Sequence, residues 1–225
     1  MNTVEFTLNG QQVKAATGRS IFNIAKDLGI QIPHLCHKDG LTPDGNCRAC
    51  VVEIEGERTL APSCCRSPTL GMKVQTNSER ALKSQKMVLE MLLADLPEQG
   101  YKWLDDRVEA PHGELSQWAE HHGVQVRPEL AELRREAVPA DLSHPAMAVN
   151  LDACIQCNRC ERACRDLQVN DVLGLAHRGA HTQGVFDLAD PMGESSCVAC
   201  GECVQACPTG ALMPKSHIGP QSVDR

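Results

Sequence analysis

The chain of 225 residues sets 22 Lys and Arg against 29 Asp and Glu, a formal charge of −7 at pH 7, and that field makes nucleic acid a poor partner. Only six residues are aromatic and no stretch approaches eighteen apolar residues, so large side chains do not dominate the interior and direct membrane insertion is not expected. Thirteen cysteines fall in two groups, five between positions 36 and 65 and eight between 154 and 207, which divides the length into two cysteine-rich regions and a connector.

Residues 4–8 read as a strand, Asn9-Gly10 as a tight hairpin turn and residues 12–15 as its return. The start, Met1-Asn2-Thr3-Val4-Glu5-Phe6, has no basic stretch followed by an apolar one. The cysteines are therefore expected as thiols in a reducing, cytoplasmic setting rather than as disulfides. Ser20 is placed to cap a helix over residues 21–28, whose Ile21, Ile24, Ala25 and Leu28 share one face before Gly29. A loop rich in Gly, Asp and Pro then runs to Cys50. Residues 51–55 and 58–61 suit a second hairpin around Gly56, and residues 72–75 a last strand.

From Ser78 the apolar period changes to that of a helix, ended by Pro97. Two further helices are expected over residues 114–122, before Gly123, and 129–137. Beyond Pro145, residues 169–175 and 184–188 read as short strands, and Asp190-Pro191 as a break. The stretch after Pro214 carries little structural signal and is expected to be a flexible tail.

The first cysteines follow C-x10-C-x2-C-x13-C: Cys36, Cys47, Cys50 and Cys64. Two irons bridged by two sulfides need four terminal ligands, and soft thiolates suit them, so this spacing points to one [2Fe–2S] cluster. C-x2-C pairs also serve zinc, which leaves a structural zinc-binding interaction protein as an alternative. Gly40 and Gly45 would let backbone pass close to the cluster. Cys65 adjoins Cys64, and consecutive side chains on extended backbone point apart, so only one of the two is expected to ligate.

Cys154, Cys157, Cys160 and Cys164 form C-x2-C-x2-C-x3-C, and Cys197, Cys200, Cys203 and Cys207 repeat it. In two-cluster ferredoxins the fourth cysteine of each run serves the other cluster. Hence Cys154, Cys157, Cys160 and Cys207 are assigned to one [4Fe–4S], and Cys197, Cys200, Cys203 and Cys164 to a second. Pro208 follows Cys207 whereas Arg165 follows Cys164, which questions whether the two exits share a backbone path. Arg159, Arg162 and Arg165 either offset cluster charge or form a solvated basic face. With twelve thiolates and oxidised cores the loaded chain would carry about −13.

Pro43-Asp44-Gly45-Asn46-Cys47-Arg48-Ala49-Cys50, Ser63-Cys64, Gly71-Met72, Ala153-Cys154-Ile155-Gln156-Cys157, Val169-Asn170-Asp171-Val172, Asp190-Pro191-Met192-Gly193 and the run from Cys197 through Gly210 carry a family resemblance. The chain resembles the N-terminal iron–sulfur region of the large subunit of NAD-dependent molybdenum or tungsten formate dehydrogenases. More broadly it resembles iron–sulfur subunits of NADH dehydrogenase and of the diaphorase of NAD-reducing hydrogenases. The resemblance implies an α+β chain: a plant-type [2Fe–2S] ferredoxin-like β-grasp domain (1–77), a helical connector without a cluster (78–143), a bacterial-type 2[4Fe–4S] ferredoxin-like domain (144–214) and a tail (215–225). It also favours Cys64 as the ligand and leaves Cys65 as a buried, inert thiol.

The broader relatives usually place a histidine and three cysteines in the connector, whereas positions 66–153 hold no cysteine here; His112, His121 and His122 are read as packing or surface residues. The implied function is electron relay between a Mo/W-pterin formate-oxidising subunit and an FMN-containing, NAD-reducing iron–sulfur subunit. The alternative is the diaphorase relay of an NAD-reducing hydrogenase. No G-x-G-x-x-G or P-loop signature occurs, and no catalytic residue is assigned: His34 and His37 flank Cys36, but Cys36 is claimed by iron.

Overall fold

The structure is a computed structural model that describes residues 2–96 and 113–218, the side chains of Ala131 and Leu133 excepted. Pro97, Tyr101, Trp103, His112 and residues 219–225 of the expected tail lie outside the described residues. The chain divides into two compact units, Met1–His37 with Thr42–Leu89, and Lys38–Leu41 with Glu90–Arg225.

In the first unit β1 (Thr3–Leu8) and β2 (Gln11–Ala16) pair antiparallel from Thr3↔Ala16 to Leu8↔Gln11. Asn9 and Gly10 both take positive φ, the backbone a two-residue hairpin requires. Ser20 caps α1 (Ile21–Asp27), its Oγ accepting from the Asn23 N–H at 3.1 Å. β3 (Val51–Ile54), β4 (Ala61–Pro62) and β5 (Lys73–Gln75) complete a five-stranded sheet of order β2-β1-β5-β3-β4, in which β1 and β5 run parallel.

Alternation along β1 turns Phe6 and Leu8 inward, where they meet Ile21, Phe22, Ile24 and Ala25 of α1 together with Val52, Ile54 and Val74. Each large apolar side chain so buried contributes about 1.5–3 kcal/mol. This mixed sheet around one helix is the β-grasp arrangement expected. The strand expected over residues 58–61 shortens to Ala61–Pro62: the turn at Gly56 closes with a Glu57 N–H to Ile54 bond, and Pro62 has no N–H with which to extend the pairing.

α2 (Glu79–Asp95) starts where the Ser78 Oγ accepts from the Ala81 N–H. On its first-unit portion the buried Gln85 amide donates to the carbonyls of Val51 (2.9 Å) and Thr76 (3.3 Å).

The second unit holds α3 (Gly113–His121), ended where Gly123 and Val124 donate to Glu120 and Ala119. The α-helix expected over residues 129–137 does not form; the chain makes a 3-10 turn, Pro128–Leu133, and then leaves helical geometry. Its donors are taken by distant acceptors: the Arg135 N–H bonds the Asp95 carbonyl, and the Val138 N–H bonds Asp152 Oδ1 at 2.8 Å.

β6 (Met147–Val149) pairs antiparallel with β9 (Leu212–Pro214), and β7 (Leu173–Ala176) with β8 (Gln183–Phe186). The expected strand over 169–175 begins only at Leu173, because Val169 and Asp171 hold positive φ. α4 (Arg159–Arg162), continued by a π-turn over Ala163–Leu167, and α5 (Glu202–Ala206) each carry the third cysteine of one run, Cys160 and Cys203. Lys215 donates from its Nζ to the Leu142 carbonyl at 2.6 Å. Among the described residues no helix is long and apolar enough to cross a membrane.

Candidate metal centres

In the first unit Cys36 follows the buried Leu35, and its N–H points at Cys47 Sγ, 3.4 Å away. Cys47 and Cys50 flank Arg48, whose φ of 58° folds the loop back. Cys50 leads into β3, and Ser63 grips its carbonyl twice, by N–H at 3.1 Å and by Oγ at 2.7 Å, which brings Cys64 alongside. Cys36, Cys50 and Cys64 are buried and Cys47 half-buried. Gly45 takes φ +69°, and a Cβ there would lie 3.0 Å from Cys65 Sγ, whereas Gly40 faces open space. Of the two glycines, Gly45 is the one under close approach.

The four sulfurs share protons. Hydrogen bonds from the Cys47 and Cys64 side chains draw the Cys36 thiol down to about 2, and Cys64 draws Cys50 down to about 7. The donors are pushed far above the ordinary thiol, Cys47 by its bond to Cys36 and then by burial, Cys64 by its bonds to Cys36 and Cys50. Thiolates gathered so closely favour a cation among them.

Cys65 corrects the sequence reading: it is exposed, not buried. The backbone is a turn here rather than extended, with the Cys65 and Arg66 N–H groups both donating to the Pro62 carbonyl at 3.1 Å. Its Sγ stays 3.5 Å from Cys64 Sγ on the solvent side.

In the second unit Cys154, Cys157, Cys160 and Cys207 line one cavity, together with Phe186 and Leu212. Cys164, Cys197, Cys200 and Cys203 line another. Each cavity thus takes three sulfurs from one run and the fourth from the other. The two runs share a backbone template: Gln156 and Asn158 have φ of 56° and 58°, and their counterparts Ala199 and Gly201 have 57° and 80°. The turn aims the Gln156 and Ala199 N–H groups at Cys154 and Cys197 Sγ, both at 3.4 Å. The exits differ: Cys164 continues into a π-turn, whereas Cys207 is extended ahead of Pro208.

Burial, then the charge of Cys207, pushes Cys157 up to about 12, and burial, then the charges of Cys157, Cys154 and Cys207, pushes Cys160 well above the ordinary thiol. Burial, then Cys197, Cys200 and Cys164, pushes Cys203 up to about 12. Ligation by a cation offsets that cost. Among the described residues no three His, Cys, Asp or Glu side chains are spaced for a single metal ion. Four-sulfur cavities are the donor set of a multi-iron core, which the residues present therefore fit.

Of the three arginines singled out in the sequence, Arg159 and Arg162 are buried, and Arg165 is solvated and paired with Glu161 and Asp166. Arg135, missed in the sequence, donates to the Cys154 carbonyl at 2.7 Å; its partner is 19 residues away and no local pattern marks it. His34 and His37 pack edge-on to Phe22, with centroids at 4.6 and 4.7 Å, and His121 and His122 pack near Trp118.

Residues 1–79 match the family described as 2Fe-2S iron-sulfur cluster binding domain, and residues 153–211 the 4Fe-4S dicluster domain. The NADP-reducing hydrogenase subunit HndD of Solidesulfovibrio fructosivorans is 36% identical over 97% of this chain. The mitochondrial NADH-ubiquinone oxidoreductase 78 kDa subunit of Candida albicans is 33% identical over 95%. A putative formate dehydrogenase of Staphylococcus haemolyticus is 26% identical over 95%. The chain spans 37%, 29% and 21% of these relatives' own lengths. A crystal structure of an NAD+-reducing [NiFe]-hydrogenase in the H2-reduced state superposes with a TM-score of 0.82 at 25% identity, covering 96% of this chain and 89% of that one.

The fold and the two matched domains mark the chain as an iron–sulfur protein, similar over nearly its whole length to subunits of hydrogenase and NADH oxidoreductase complexes. The likeness is greater to the hydrogenase and NADH oxidoreductase subunits, at 36% and 33% identity, than to the putative formate dehydrogenase, at 26%. The absence of connector cysteines weakens the expectation of a hydrogenase or NADH-dehydrogenase relationship, yet the likeness to both extends over nearly the whole chain.

Proposed function

We propose that the chain relays electrons within an NAD(P)-linked hydrogenase-type complex, between a flavin-containing subunit that reacts with NAD(P) and a hydrogen-activating subunit. Cys36, Cys47, Cys50 and Cys64 would hold one [2Fe–2S]; the Cys154/157/160/207 and Cys164/197/200/203 quartets would hold one [4Fe–4S] each. The observation that carries this reading is the pair of cavities, each lined by four cysteines drawn three and one from the two runs. The whole-chain likeness to hydrogenase proteins directs it toward hydrogen rather than formate. Such clusters exchange one electron at a time and so link two-electron centres that do not touch. The chain's own part is to fix the sulfurs and to aim N–H groups at Cys47, Cys154 and Cys197 so that added negative charge is stabilised.

Anaerobic reconstitution followed by iron and acid-labile sulfide analysis should give about ten irons per chain; zinc without sulfide would end the reading. Isolation of the intact complex then separates the partners. Hydrogen-dependent NAD(P) reduction with nickel and iron present supports the proposal. Formate-dependent reduction with molybdenum or tungsten would instead establish the formate-oxidising partner that the sequence motifs resemble.

A further inference from the structure

Arg159 stands between Cys157 and Cys160, and at 1% exposure it is the largest fully buried side chain among the described residues. Its guanidinium meets Glu114 of α3 with two parallel bonds, Nη1 to Oε1 at 2.6 Å and Nη2 to Oε2 at 2.8 Å. The Glu114 side chain keeps 39% of its surface in solvent, so the pair runs from water to a buried guanidinium whose chain neighbours Asn158 and Cys160 line the first cavity. The backbone N–H of the same residue donates to the Pro208 carbonyl at 2.6 Å. Beside it Gly113, at φ +62°, presses so closely on Pro208 and Thr209 that a Cβ would clash with both.

The start of α3 therefore touches both segments that bring sulfur to the first cavity: the Cys157–Cys160 loop through Arg159, and the Cys207 exit through Pro208. These segments are 47 residues apart between Cys160 and Cys207, and Pro208 and Thr209 themselves line the cavity. The other run carries no equivalent cation. The position matching Arg159, between Cys200 and Cys203, is Glu202, a charge of opposite sign.

We propose that Glu114 and Arg159 are positioning residues for the first [4Fe–4S] site: they clamp its two ligand-bearing segments together, and the balance of their charges sets its reduction potential apart from that of the second. This rests on reading the quartet as a cubane site. A buried cation beside a cluster favours the added electron, and a carboxylate on that cation withdraws part of the effect. Glu114→Gln keeps the shape and removes the negative charge; Arg159→Met removes the cation.

The test is an EPR-monitored redox titration of the full chain, reconstituted anaerobically, with the two cubane signals assigned by Cys157→Ser and Cys200→Ser. In Glu114→Gln the midpoint of the first-cavity cluster should rise, and in Arg159→Met it should fall, while the second-cavity cluster stays in place. Shifts of the same sign in both variants, a shift shared by both clusters, or an unmoved midpoint in Glu114→Gln would overturn the inference. If Arg159→Met does not fold, Glu114→Gln alone decides. A wild-type chain lacking two cubane signals would defeat the reading of the quartets themselves; a wild type showing both, with Glu114→Gln unshifted, defeats only the role of the pair.

Discussion

Cys64 and Cys65 hold their Sγ atoms 3.5 Å apart, yet Cys64 is buried and Cys65 is exposed. Adjacency along the chain therefore does not make the two thiols equivalent: the turn at Pro62 points one into the quartet and the other to water. Cys65→Ser should leave the [2Fe–2S] absorption and EPR signal intact, and Cys64→Ser should abolish or strongly diminish them. Equal loss in both variants would show that Cys65 ligates too.

Cys207 is expected to serve the cluster of Cys154, Cys157 and Cys160, whose cavity it lines. In Cys207→Ser the signal of that cluster should be lost first, with the signal assigned to Cys197, Cys200 and Cys203 retained. Ligand-resolved coordinates of the loaded protein with Cys207 bound beside Cys197 would reverse the assignment.

Gln85 is buried and its amide serves two carbonyls, those of Val51 and Thr76. Gln85→Ala removes the amide donor from both, at a cost of about 1–3 kcal/mol. Chemical denaturation of the reconstituted chain should show that loss in the first unit's transition, while the cubane signals are unaffected.

Gly193 is packed against the backbone of Ser143, and a Cβ there would lie 2.5 Å from the Ser143 carbonyl carbon. The loop is held by the Gly193 N–H to Ser143 Oγ at 2.8 Å and the Met192 N–H to Asp141 Oδ2 at 2.7 Å. Gly193→Ala must displace backbone, with an expected destabilisation of about 1–3 kcal/mol. Thermal unfolding of the loaded protein monitored at cluster absorption should fall in midpoint; an unchanged midpoint would mean that the contact relaxes freely.

Local signals were legible where backbone chemistry is local. The Asn9-Gly10 turn, the Ser20 cap and the alternation of Phe6 and Leu8 each depend on residues within a few positions, and all appear in the structure. The cysteine spacing carried the candidate sites in the same way, since three sulfurs within seven residues already outline a cavity wall.

What was not legible depends on distant partners. Residues 129–137 have helical composition, but Arg135 and, just past the segment, Val138 spend their donors on Asp95 and Asp152. Cys65 was misplaced because its exposure follows from a turn rather than from strand alternation. Glu114 looked like one more acidic residue of a connector helix, and nothing near it in sequence announces Arg159, 45 positions on.

The two cysteine runs are alike in backbone and unlike in their access to water. Cys157 is buried, whereas Cys200 is exposed beside Val198, which shows 61% of its surface. A dissolved oxidant or chelator reaches the Cys197–Cys203 loop directly, since thiolate chemistry follows exposure. If both quartets hold iron as proposed, ageing in air would have a direction: iron would leave first from the cavity that Cys200 lines, and the chain would pass through a half-stripped form, its better shielded quartet still loaded.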